Sequence, residues 1–138
     1  MRIILDSNIV VSALISRLGT PAQLLDAWTD KAFDLVTSTT QIDEISAVTR
    51  RSAVRALITP SHAGRFIKDL YRFGTVLTEL PFVDRSSDPN DNFLLAMAES
   101  GRADYLVTGD KRGVLALNQH GMTRIVTATD MHKILGGR

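Results

Sequence analysis

The chain has 138 residues, 44% of them hydrophobic, a formal net charge of +1 and no cysteine. Those values describe one domain of ordinary size, able to bury roughly two-thirds of its unfolded surface without disulfide or metal staples. They exclude a disulfide framework, a thiolate metal site, a cysteine nucleophile and a bulk basic field for nucleic acid, and with no membrane-length apolar run and no signal-peptide core in Met1–Asp6 they point to a cytoplasmic location without membrane contact.

The pattern along the chain alternates strands with helices. Arg2 to Leu5 is a short apolar run, expected as a buried strand. Asn8 to Ser16 follows with Ile9, Val10, Ala13 and Leu14 at helical spacing. Gly19-Thr20-Pro21 stops that helix and starts another, which runs to about Lys31 and buries Leu24, Leu25 and Trp28. Phe33 to Thr37 reads as a second strand, and Ser38 or Thr39 caps a helix through about Arg51. A helix or helix pair lies between Ala53 and Phe73, interrupted near Thr59-Pro60-Ser61. Thr75 to Leu80 is a third strand and Pro81 to Ser87 a loop. Asp88-Pro89 opens a helix to about Ser100 that Gly101 ends. Asp104 to Thr108 is a fourth strand, Val114 to Asn118 a short helix, and Arg124 to Thr127 a fifth strand. Thr129 is expected to cap a last helix ending at Gly136.

Such alternation over one domain predicts an α/β fold with an open parallel sheet, whose ligands bind beyond the carboxyl ends of the strands. The residues that immediately follow strands are therefore the candidates. Asp6 follows the first strand, Glu44 lies on the helix after the second, Asp88 and Asp91 open the helix after the third, and Asp110 follows the fourth. Taken singly, Asp6, Asp88 and Asp110 are explained as well or better as helix N-caps, and Asp91 is ambiguous. Glu44 is mid-helix and caps nothing. With Ile42, Ile45 and Val48 as the buried stripe, the phase puts Glu44 at the core boundary and Asp43 in solvent; a solvated flank glutamate is the plainer alternative. Carboxylates gathered at one end of a sheet repel one another unless a cation or shared protons offset them. Oxygen donors without cysteine or a histidine motif suit Mg2+ or Mn2+, and such a carboxylate-held site serves phosphodiester cleavage.

Four segments together resemble the PIN-domain family: D-S-N-I-V-V-S-A-L at Asp6–Leu14, T-T-Q-I-D-E-I at Thr39–Ile45, D-P-N-D-N-F-L-L-A-M-A at Asp88–Ala98, and Y-L-V-T-G-D-K at Tyr105–Lys111. The resemblance spans nearly the whole chain as a single domain, and its nearest branch is the bacterial toxin-like PIN proteins related to VapC-type toxins. It implies a Mg2+- or Mn2+-dependent ribonuclease with sheet order 3-2-1-4-5. By position, Asp6 and Asp91 would be the main metal ligands, Glu44 a ligand directly or through water, and Asp110 the holder of a second metal or a water. Asp88 would be an accessory acid, and Asn8 and Thr108 polar supports. The branch also implies an RNA substrate, a cognate antitoxin seated in the acidic groove, and a homodimer.

Arg17, Arg85, Lys111 and Arg112 are candidate phosphate contacts or plain surface charges. His62, His120 and His132 show no ligand spacing, and Trp28 reads as core. A haloacid-dehalogenase-type phosphatase would require a second aspartate where Asn8 stands, and a receiver domain would require paired acids elsewhere. A non-catalytic module that keeps the acidic groove for a partner is the rival of a different class.

Overall fold

A computed structural model describes residues 1–109 and 113–136. Six strands form one sheet: β1 (Arg2–Leu5), β2 (Asp34–Ser38), β3 (Thr75–Leu77), β4 (Tyr105–Val107), β5 (Gln119–His120) and β6 (Thr123–Val126), in the order β3-β2-β1-β4-β6-β5. All neighbours pair in parallel except β5 and β6. The five parallel strands keep the expected 3-2-1-4-5 order; β5 is an added two-residue antiparallel edge. It escapes sequence reading because two residues carry no periodicity and the turn rests on backbone geometry at Asn118 and Gly121, φ 61° and 58°.

Alternation along the strands explains why their sequences are apolar throughout. Ile3 and Leu5, Leu35 and Val107 face one helical layer, while Ile4, Val36 and Leu106 face the other. The first layer contains α1 (Ser7–Ile15), α2 (Thr20–Thr29), α3 (Thr39–Thr49), α5 (Pro60–Phe73) and α7 (Ala128–Ile134); α4 (Ser52–Arg55) is a single turn joining α3 to α5. The second layer is α6 (Asn92–Gly101) with a 3-10 turn at Val114–Leu117. The break between α4 and α5 falls at Thr59, whose hydroxyl accepts from the His62 amide while Pro60 opens the helix.

Several boundaries differ from the expectation. β3 stops at Leu77 rather than Leu80. The helix opened by Asp88 is a 3-10 turn, Pro89–Asp91, before α6 proper. Gly101 is the last residue of α6, and the left-handed position just past it, at φ 51°, is taken by Arg102 rather than by the glycine. The glycine serves packing: a Cβ there would stand 2.6 Å from Val36 Cγ1, so its absence lets α6 lie close on β2. The cap of α7 is Thr127, not Thr129: its hydroxyl accepts from the Asp130 amide at 3.1 Å. Among the described residues, no helix is long and apolar enough to cross a membrane.

Candidate active site

Strand order reverses between β1 and β4: β2 and β3 extend from β1 to one side, β6 from β4 to the other. The carboxyl ends of β1 and β4 therefore flank the crevice where open α/β sheets bind ligands. Asp6 and Thr108 are the residues that follow these two strands, and they meet there. The fully buried Thr108 hydroxyl donates to Asp6 Oδ2 at 2.8 Å. Asp6 Oδ1 accepts from the Asn8 amide at 3.1 Å, which makes Asp6 the N-cap of α1. Cap and site candidate thus coincide in one side chain. Asp6 is 7% exposed. Its two hydrogen bonds occupy about half of the roughly four lone-pair directions of an ionised carboxylate. Asn8 contributes its backbone amide, and its side chain is exposed.

The second acidic segment hangs on a residue that the sequence reading passed over. Asn92, at the start of α6, is buried, and its side-chain oxygen accepts from the backbone amides of Arg85 at 3.1 Å and Ser86 at 2.8 Å. That clamp folds the loop back on the helix and fixes the intervening residues. The Asp88 amide donates to Ser86 Oγ at 3.2 Å, and Asp88 Oδ1 accepts from the Asn90 amide at 3.0 Å. Asp88 therefore caps the 3-10 turn. Asp91 is half-buried at the junction of that turn with α6, where it holds the N-cap position without a side-chain capping bond.

Glu44 departs from its expected placement. Both Glu44 and Asp43 are exposed. The helical phase is sound, since Ile42 and Ile45 are buried and Val48 is half-buried. The side chain of α3 that reaches the end of β1 is instead Gln41, one turn earlier, which is 2% exposed. A signal for it was present: Gln41 stands four residues before Ile45, on the buried stripe, where a polar residue needs partners.

Asp110, Lys111 and Arg112 lie outside the described residues. Among the described residues, no group of three or more His, Cys, Asp or Glu side chains could hold a metal ion. The donor chemistry around Asp6 nevertheless fits a hard divalent cation: a buried carboxylate with spare lone pairs, oriented by a hydroxyl and an amide, in a chain without thiolates.

Of the candidate phosphate contacts, only Arg17 and Arg85 fall within the described residues, and both are engaged elsewhere. Arg85 Nη1 donates to the Gln119 carbonyl at 2.9 Å and to His120 Nδ1 at 2.7 Å, while His120 Nε2 meets Glu99 at 2.5 Å. The guanidinium thus ties the loop to the β5 edge. Arg17 lines a cavity of about 410 Å³ between α1, α2 and α5, where Trp28 meets Phe66 edge-on.

No curated protein and no solved structure matches the chain. The family described as PIN domain does, over residues 2–112, a span that takes in the Asp6 crevice, Glu44, the Asn92 clamp with Asp88 and Asp91, and the position of Asp110. With four-fifths of its length matched and its first acid at the switch point of a parallel sheet, the chain belongs to the PIN-domain family.

Proposed function

We propose that the chain is a Mg2+- or Mn2+-dependent endoribonuclease that hydrolyses RNA phosphodiester bonds, and that it is the toxin of a type II toxin–antitoxin pair. Members of the family are generally metal-dependent nucleases. The observation that carries the reading is the Asp6–Thr108 bond across the switch point, because it fixes a buried carboxylate at the one crevice the topology creates.

In this reading Asp6 and Asp91 are the principal ligands, Asp110 completes the site, and Glu44 reaches it through water from its exposed position on α3. When bound, the cation supplies Lewis-acid charge at the phosphodiester. The protein's own contribution is orientation. Thr108 and the Asn8 amide hold the Asp6 carboxylate through one bond to each oxygen, leaving lone pairs with which it would bind the cation. Asn92, through the Arg85 and Ser86 amides, holds the turn that carries Asp88 and Asp91. An antitoxin would present an Arg or Lys to the same carboxylates, pairing with them in place of metal. A homodimer in the cytoplasm is part of the same proposal.

A second reading, a catalytically weak PIN-like module that binds RNA or a partner, is favoured by one observation: Glu44 is exposed. Incubating the purified protein with a mixed RNA pool in Mn2+, Mg2+ or EDTA separates the two. Cutting that needs the cation and stops in EDTA supports the nuclease; binding without cutting in either cation supports the module.

A further inference from the structure

We infer that Gln41 is a positioning residue for Asp6, acting by continuing the sheet's hydrogen-bond ladder beyond the point where β2 leaves β1. The inference rests on the proposed role of Asp6 only in its consequence for catalysis; the structural part stands on its own contacts.

The register between β1 and β2 covers Arg2 with Asp34 and Ile3 with Leu35, whereas β1 and β4 stay paired to Leu5 with Val107. The last peptide of β1, joining Leu5 to Asp6, therefore has a neighbour on one side only. Its N–H, on Asp6, donates to the Val107 carbonyl at 2.9 Å. Its C=O, on Leu5, points the opposite way across a trans peptide. Without a strand partner it would be a buried, unsatisfied acceptor. Gln41 Nε2 fills that place, donating to the Leu5 carbonyl at 2.7 Å and reaching Ser7 Oγ at 3.5 Å.

The amide is itself held. Its oxygen accepts from the Thr37 hydroxyl at 2.7 Å, and the Gln41 backbone N–H donates to Ser38 Oγ at 3.0 Å. Thr37, Ser38 and Gln41 are all at most 2% exposed. The Leu5–Asp6 peptide plane is thus gripped from both sides, by β4 and by α3. The orientation of that plane sets the direction of the Asp6 Cα–Cβ bond, and so decides whether Oδ1 meets the Asn8 amide and Oδ2 the Thr108 hydroxyl. The buried glutamine that shares the inner face of α3 with Ile42 and Ile45 has this as its function.

The test is Gln41→Met, which keeps length and volume and removes the polar contacts of the side-chain amide, with Thr37→Val as a milder second variant that leaves the amide donor in place. Amide hydrogen exchange is read at Asn8, with Leu95, fully buried on α6, as the control for global stability. Exchange at Asn8 should rise at least about tenfold in Gln41→Met, and less in Thr37→Val, relative to Leu95. If the wild type cleaves RNA, kcat should fall by roughly 10- to 100-fold while KM stays within about twofold, because a displaced catalytic group weakens the transition state rather than RNA binding. Equal acceleration at Asn8 and Leu95, or unchanged exchange at both, overturns the inference and leaves Gln41 as a core residue. If Gln41→Met does not fold, Thr37→Val decides by the same two amides. A wild type that never cleaves RNA refutes the proposed function, while the exchange rates still decide the role of Gln41.

Discussion

The two hydrogen bonds on Asp6 make its two simplest replacements separable. Asp6→Ala removes the cap on α1, typically worth about 1 kcal/mol, and removes the acceptor of a buried hydroxyl, worth about 1–3 kcal/mol. Together these lower stability by about 2–4 kcal/mol, or roughly 6–12 °C in Tm for a domain of this size. Asp6→Asn keeps both contacts, since the side-chain oxygen still accepts from the Asn8 amide and its NH2 can donate to the Thr108 hydroxyl with that bond's direction reversed. Its loss without metal should stay within about 1 kcal/mol. Metal then distinguishes the proteins. Free Mn2+ at 100 times its dissociation constant should stabilise the wild type by about 2.7 kcal/mol, roughly 8 °C, and the Asn variant much less. The assay is thermal unfolding of the three proteins in EDTA and in millimolar Mn2+. An Asn variant as unstable as the Ala variant would refute the bonding scheme. Equal metal shifts in wild type and Asn variant would refute Asp6 as a ligand.

Three further outcomes follow from other contacts. Asn92→Ala leaves the Arg85 and Ser86 amides without their acceptor and should cost about 2–3 kcal/mol, whereas Asn92→Asp, which keeps an acceptor oxygen there, should lose less than half as much; urea unfolding of both decides. Gly101→Ala should lower stability by about 1–3 kcal/mol despite alanine's better helix propensity, because its Cβ meets Val36, and Val36→Ala in the same chain should recover part of the loss in thermal melts. Glu44→Gln should impair metal-dependent RNA cleavage while Asp43→Asn leaves it unchanged; both residues are exposed, so neither should move Tm by more than about 2 °C, and the reverse pattern in rates would exclude Glu44.

The fold was legible wherever a segment met its surroundings through apolar burial. The runs in β1, β2 and β4 read as strands because both faces are covered, and the helices of the larger layer read from their stripes. Thr59-Pro60 announced its helix start through a cap whose chemistry is local. What escaped depends on contacts distant in sequence. Gly101 looked like a helix stop because glycine favours left-handed backbone; its reason is Val36, 65 positions away. Thr129 and Thr127 are equivalent as caps until the end of β6 is fixed at Val126. At the site, the acid-bearing segments were visible as residues that follow strands, but the side chains that orient them were less so. Thr108 entered through family resemblance, and its bond to Asp6 spans 102 positions. The partners of Gln41 and Asn92 are not legible locally: Gln41 bonds Leu5, 36 positions away, and Asn92 bonds the Arg85 and Ser86 amides across a loop. Glu44 had the right helical phase and the wrong burial, since phase gives direction around the helix and not whether another element covers that side.

The central claim, that Asp6 is the carboxylate on which metal-dependent RNA cleavage turns, is tested most directly by single-turnover cleavage of one defined single-stranded RNA. Wild type and Asp6→Asn are prepared identically and assayed in Mn2+, with EDTA as the blank. The account predicts a wild-type rate abolished by EDTA and an Asp6→Asn rate at least about 100-fold lower in Mn2+, with both proteins folded to within a few degrees in Tm. Equal cleavage by the two proteins would contradict it.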